Sequence, residues 1–173
     1  KCTKEYQKAI CLQYQAQMLR LLGRLEEAHH GFIQALNAFQ LISRDHFDIA
    51  RILREQALIL WEKDERATAL KKVKEALRMQ KRVYGDIYTS QPTVAATYRT
   101  LGDFLLEMGG YSKSDRAYQK AIMINQKAYQ TKSHPRLAEL YHQRARALRA
   151  LGQKSRAEKM ERKFQHIESF SEN

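Results

Sequence analysis

Proline and glycine are scarce, two and seven in 173 residues. So few breakers leave little room for the many turns of a sheet protein and favour long helices. Cysteine is rarer still in any useful arrangement. Cys2 and Cys11 stand nine apart, which is neither a zinc pattern nor a disulfide framework, and they read as reduced thiols of a cytoplasmic protein. No apolar run approaches the ~18 residues of a membrane span, and no signal-peptide pattern opens the chain. The first residue is Lys1 rather than Met, so the expectation is a piece of a longer protein. Acids are short as well, 19 against 31 Lys and Arg, for a net charge of +12. That balance fits nucleic acid or acidic membrane as a partner, or simply a solvated basic surface; the placement of the charge decides.

What is present is globular. Hydrophobic residues make up 43% of a chain long enough for one domain with a sizeable core. The most regular stretch is AATYRTLGDFLLEMGGYSKSDRAYQKAI, Ala95 to Ile122. Tyr98, Leu101, Gly102 and Leu105 recur at i, i+3, i+4 and i+7, the spacing of one helical face. After Gly109-Gly110, Ser114, Tyr118, Ala121 and Ile122 form a second such face. Gly102 and Ala121 are small where two helix backbones must come close.

Three more copies follow the same spacing. Leu12, Gln15, Ala16 and Leu19 precede Gly23, with Ala28, Phe32 and Ala35 beyond. Leu53, Gln56, Ala57 and Leu60 precede Asp64, with Ala69, Val73 and Ala76 beyond. Tyr141, Arg144, Ala145 and Leu148 precede Gly152, with Ala157, Glu161 and Phe164 beyond. From Ala16 to Ala57, Gly102 and Ala145 the periods are 41, 45 and 43. The spacing (aromatic, Leu-Gly, large residue, then small, aromatic, Ala) matches the tetratricopeptide repeat. It predicts an all-α, right-handed α-solenoid of four helix pairs, about eight helices, in one domain with units near 3–44, 45–89, 90–132 and 133–170.

The period near 42 and the pieces AYQKAIMINQKAYQTKSHPRLAELY and YGDIYTSQPTVAATYRTLG resemble the repeats of kinesin light chains. That resemblance implies a module that binds a protein or peptide. It departs from the family at the Asn pair of the first helix, which engages peptide backbone; Arg99-Thr100 and His142-Gln143 stand there instead. The Lys and Asn of a chaperone-tail clamp are likewise replaced by Gln13 and Gln17.

Two ends stand apart. Cys2 and Tyr6 extend an apolar stripe into Ala9 and Ile10, read either as a longer first helix or as a stacking surface for an upstream repeat. Glu161 occupies the place of Phe32, Val73 and Tyr118, so the last helix is expected to face water, with Met160, Phe164 and Ile167 buried and fraying from Phe170.

Chemistry is hard to build from these residues. His29-His30 are helix neighbours that do not share a face, no His pair flanks a Glu at metalloprotease spacing, and Gly109-Gly110 is no phosphate loop. A Cys11–His dyad is a pairing any such composition allows. The expectation is no catalysis, no metal and no cofactor.

Carried over from the family, the inward positions are Arg20, Leu21, Arg51, Arg54, Leu58, Trp61, Arg99, Leu106, Arg146 and Arg149, against Glu55, Glu62, Asp103, Glu107 and Glu139. The cations there are all Arg, which fork carboxylates and stack on aromatics, and Trp61 is the candidate anchor. These residues describe a concave groove for a segment with acidic and apolar residues. The excess charge lies on second helices, chiefly Arg66, Lys71, Lys72, Lys74, Arg78, Lys81 and Arg82 with Glu75 the one acid among them. That convex wall is the alternative docking surface for RNA or anionic membrane, although aromatics for base stacking are missing from it.

Overall fold

Every hairpin of this chain closes with the same backbone turn. In the computed structural model, which describes residues 2–171 and the side chains of 4–169, eight α-helices pair as α1 (Cys2–Leu21) with α2 (Leu25–Ile42), α3 (Phe47–Glu62) with α4 (Arg66–Tyr84), α5 (Pro92–Glu107) with α6 (Tyr111–Tyr129), and α7 (Ala138–Ala150) with α8 (Lys154–Ser171). Short 3₁₀ turns stand at Gly85–Ser90 and Pro135–Leu137. Among the described residues there is no strand, and no helix is long and apolar enough to cross a membrane. The expectations attached to Lys1, to the Cys2 side chain and to the side chains from Phe170 on fall outside the described residues; α8 itself continues to Ser171.

The turn explains the glycines. Gly23, Gly109 and Gly152 sit at φ +75°, +76° and +73°, where a Cβ is disfavoured. The amide of the residue after each reaches back to a carbonyl five residues earlier: Arg24 to Leu19 at 2.9 Å, Gly110 to Leu105 at 2.8 Å, Gln153 to Leu148 at 2.9 Å. This is the Schellman arrangement, which satisfies carbonyls that a helix end leaves orphaned. In the second hairpin Asp64 adopts φ +64° and Glu65 N–H reaches Leu60 O at 2.8 Å. Aspartate tolerates the left-handed region better than most residues, so the turn survives without glycine.

The chain divides into two compact units, Lys1–Gly85 and Asp86–Asn173. In the first, Ala16, Ala28, Phe32, Ala35, Phe39, Ile49, Ile52 and Ile59 are buried together. An added Cβ on Gly31 would lie 2.9 Å from that of Ala16, so α1 and α2 cross in near backbone contact. In the second unit the close approach is made differently. Gly102 on α5 faces Tyr118 of α6, whose ring would stand 2.7 Å from a Cβ there. The Ser114 hydroxyl donates to Gly102 O at 2.8 Å across the same crossing. Pro92 opens α5, a first-turn position that asks no N–H of it.

Candidate binding site

The face expected to bind is made, in the first unit, by α1 and α3. Its three arginines are knitted into carboxylates. Arg20 donates from Nε to Glu55 at 3.2 Å and from Nη1 to Glu62 at 2.8 Å. Arg54 holds the other oxygen of Glu55 at 2.6 Å. Arg51 bridges Asp48 at 2.7 Å and Gln13 at 2.8 Å, and Tyr6 donates to the second oxygen of Asp48. The Glu55 side chain is only 4% exposed and that of Arg20 16%, so these charges are joined out of bulk water. Burying such ions is tolerable only when each finds its partner. One N–H on each of Arg51 and Arg54, at Nε, is buried without an acceptor.

Beside this ladder α1 exposes apolar surface. Tyr14, Met18 and Leu21 lie at i, i+4 and i+7 and are each more than half exposed. The Arg51 guanidinium sits 5.6 Å over the Tyr14 ring, which places the stripe on the α1/α3 side. Leu58 is half-buried. Trp61 is 9% exposed with the Arg66 guanidinium 4.1 Å over its ring; a visitor reaches the indole only if Arg66 moves.

In the second unit the matching face is built by α5 and α7, and its arginines stand in water. The Arg99 side chain is 50% exposed and 3.8 Å from Asp103. Arg149, 51% exposed, meets Glu161 at 3.1 Å. Exposed Arg146 donates to Gln143, and Leu106 is half-buried. Glu161, expected to face water, is instead mostly covered and takes Arg149 and His142 as neighbours. Asp103 accepts the Tyr118 hydroxyl at 2.7 Å. Burial pushes the Asp103 carboxyl above the usual range, more than that hydrogen bond and Arg99 pull it down. Burial and the same carboxylate hold the Tyr118 hydroxyl well above its ordinary value.

Two residues of this face are absent from the sequence-based set. Arg136, in the 3₁₀ turn before α7, and Asn125 of α6 line a cavity of about 210 Å³ together with Arg99 and Glu139. Asn125 had a visible signal: it continues the apolar register of Ser114, Tyr118 and Ala121 as a polar residue. Arg136 had none, since it lies in a linker.

The second-helix patch is partly paired. Lys72 faces Glu75 at 3.5 Å, Arg82 meets Asp45 at 2.8 Å, and Arg66 meets Asp64 at 2.6 Å. Lys71, Lys74, Arg78 and Lys81 are exposed and unpaired among the described residues, and their spacing makes one stripe along α4. Among those residues no group of three or more His, Cys, Asp or Glu could hold a metal ion, and Cys11 is a free, exposed thiol.

The fold has counterparts among known proteins. Residues 93–163 match the sequence profile of the tetratricopeptide repeat. No curated protein matches the chain in sequence. Among solved structures, BtubC (BKLC) from P. vanneervenii is similar with a TM-score of 0.83 at 18% identity, over 95% of this chain and 65% of BtubC, so the chain spans less than two thirds of that protein. TPR-like repeats of a Podosopora anserina kinesin-light-chain-type protein give 0.76 at 17% identity, over 95% and 76% of the two chains. MamA gives 0.66 at 19%, over 94% and 80%. At such identities the likeness is one of fold. Residues 93–163 thus carry tetratricopeptide repeats by sequence, and the chain shares the helical-hairpin fold of kinesin-light-chain-like repeat proteins.

Proposed function

We propose that the chain is a protein-binding module without catalysis of its own, taking a segment with acidic and apolar residues on the faces built by its first helices. The observation that carries this reading is the exposed stripe of Tyr14, Met18 and Leu21 alongside an arginine-rich helix pair. Apolar surface left in water suits a partner that supplies hydrophobic side chains. The arginines beside it are already held by Glu55, Glu62 and Asp48, so a partner's carboxylates are left to the second unit. In the second unit the same reading rests on Arg99, Arg146 and Arg149, whose guanidinium groups are exposed enough to exchange an internal acceptor for a visiting one. Tetratricopeptide repeats and the shared fold support an interaction module.

The test is selection of binders from a random-peptide library on the whole chain. Selected peptides should be enriched in Asp, Glu and large apolar residues. Arg99→Glu with Arg149→Glu should weaken them at least about tenfold, as expected when charge-assisted contacts turn repulsive. Lys71→Glu with Lys74→Glu should leave them unchanged.

The unpaired stripe Lys71, Lys74, Arg78 and Lys81 favours a second reading, in which α4 docks on RNA or anionic lipid. Phosphate binding would lose decades of affinity between low and moderate salt. Steep salt dependence abolished by the Lys71 and Lys74 variants, with the arginine variants silent, would replace the first reading by the second.

A further inference from the structure

We propose that the cavity between α5, the 3₁₀ turn at Pro135 and α7 is a subsite for a carboxylate carried next to a backbone N–H, the chemistry of an acidic residue or of a chain end in a bound protein segment. The proposal rests on the protein-binding reading above and names what one part of that surface recognises.

Its floor holds the observation that asks for a ligand. Asn125 is 6% exposed, its side-chain amide makes no hydrogen bond among the described residues, and its Oδ1 is buried without a partner. Buried amides are nearly always paired, because an unmade bond is costly. Asn125 lines the cavity, and the last torsion of an Asn side chain is soft. A small rotation therefore offers Oδ1 to a donor entering there. A backbone N–H is such a donor.

The rim supplies the charge. Arg99 and Arg136 both line the cavity, opposed by Glu139 alone. Arg136 is exposed and has no ion pair among the described residues, and Arg99 is only loosely held by Asp103 at 3.8 Å. Glu139 is already engaged by the Gln143 amide. The turn that carries Arg136 is fixed in place: the His134 ring stacks on Tyr129 with centroids 3.8 Å apart, and His134 Nδ1 accepts the Arg136 N–H at 3.1 Å. At about 210 Å³ the space is smaller than the roughly 300–1,000 Å³ of small-molecule sites, so it suits one residue rather than a cofactor.

The probe is N-acetyl-glutamate N-methylamide, titrated into the whole chain while the Asn125 side-chain amide and the Arg99 Nε–H are followed by NMR. Saturable shifts at both are expected, with affinity at least about tenfold above that of the neutral glutamine analogue, the worth of one charge-assisted fork. Arg136→Ala should remove that advantage and Glu139→Gln should increase it. N-acetyl-alanine, whose carboxylate is a chain end, tells the two sources apart: whichever probe binds tighter identifies the occupant. Equal binding of the glutamate and glutamine probes, or shifts indifferent to Arg136→Ala, would overturn the proposal. Failure here is separable from failure of the module. Library peptides unaffected by Arg136→Ala would end the subsite and leave the module. Capped glutamate seated at Asn125, with no library peptide retained, would do the opposite.

Discussion

The first-helix faces of the two units carry the same residue type to different ends. On α1 and α3, Arg20, Arg51 and Arg54 are spent on Glu55, Glu62 and Asp48, and the ladder ties the two helices together. On α5 and α7, Arg99, Arg146 and Arg149 reach neighbours on their own helix or on α8, and stay in water. What separates them is the acid that answers them. Glu55 is buried between two guanidinium groups, whereas among the described residues no carboxylate buried as deeply pairs with Arg99, Arg146 or Arg149, and the buried Asp115 is taken by Arg144. An arginine on a first helix is thus locked or left exposed according to whether a covered carboxylate answers it.

The sharpest break of this contrast is Glu55→Gln. It leaves Arg20 and Arg54 facing each other in a covered site, and should lower unfolding free energy by on the order of 3 kcal/mol, the cost of stripping one partner from a buried pair. Glu161→Gln, which weakens the contacts to half-exposed Arg149 and to His142, should cost about 1 kcal/mol or less. Chemical denaturation of both variants measures the difference; equal losses would erase the distinction between the two faces.

A second contrast lies in how the helices touch. Gly102→Ala would drive a Cβ to 2.7 Å from the Tyr118 ring, and Gly31→Ala one to 2.9 Å from Ala16 Cβ. Each should destabilise by about 1–3 kcal/mol as overpacking. The tyrosine ring can tilt but is hydrogen-bonded to Asp103, whereas the Ala16 methyl can move only with its backbone. Gly31→Ala should therefore be the costlier of the two in thermal melts.

The smallest effect sharpens the electrostatics of the second unit. A carboxyl whose native value is raised, as burial raises Asp103, favours folding while protonated and loses that contribution as pH rises through its native value. Asp103→Asn keeps an acceptor for Tyr118 and removes the buried charge. Its melting temperature should exceed that of the parent at neutral pH and converge on it in acid. A gain that persists unchanged in acid would contradict this account.

Much of the architecture was legible because helical period and turn chemistry are local. Tyr98, Gly102 and Leu105 followed by Gly109 and Tyr118 specify a hairpin with no distant information, and Gly102 even marks the contact with Tyr118. The site was less so. Arg54 and Glu55 are adjacent, and adjacent helical residues do not face each other, so nothing local says that Glu55 serves both Arg54 and Arg20 across 35 residues. Trp61 looked like an anchor by type, but its exposure depends on Arg66 beyond the turn. Arg136 joins Arg99 only through the fold of a linker that periodicity does not describe.

The four turns that close the hairpins share one geometry, yet the copies differ in length. The variation therefore resides in the joints between hairpins, at 43–46, 85–91 and 130–137. A duplication, deletion or graft that respects those joints inherits a ready-made fastening, and a cut placed inside a hairpin does not. That makes the joints, rather than the helix caps, the seams along which an engineer should splice this chain.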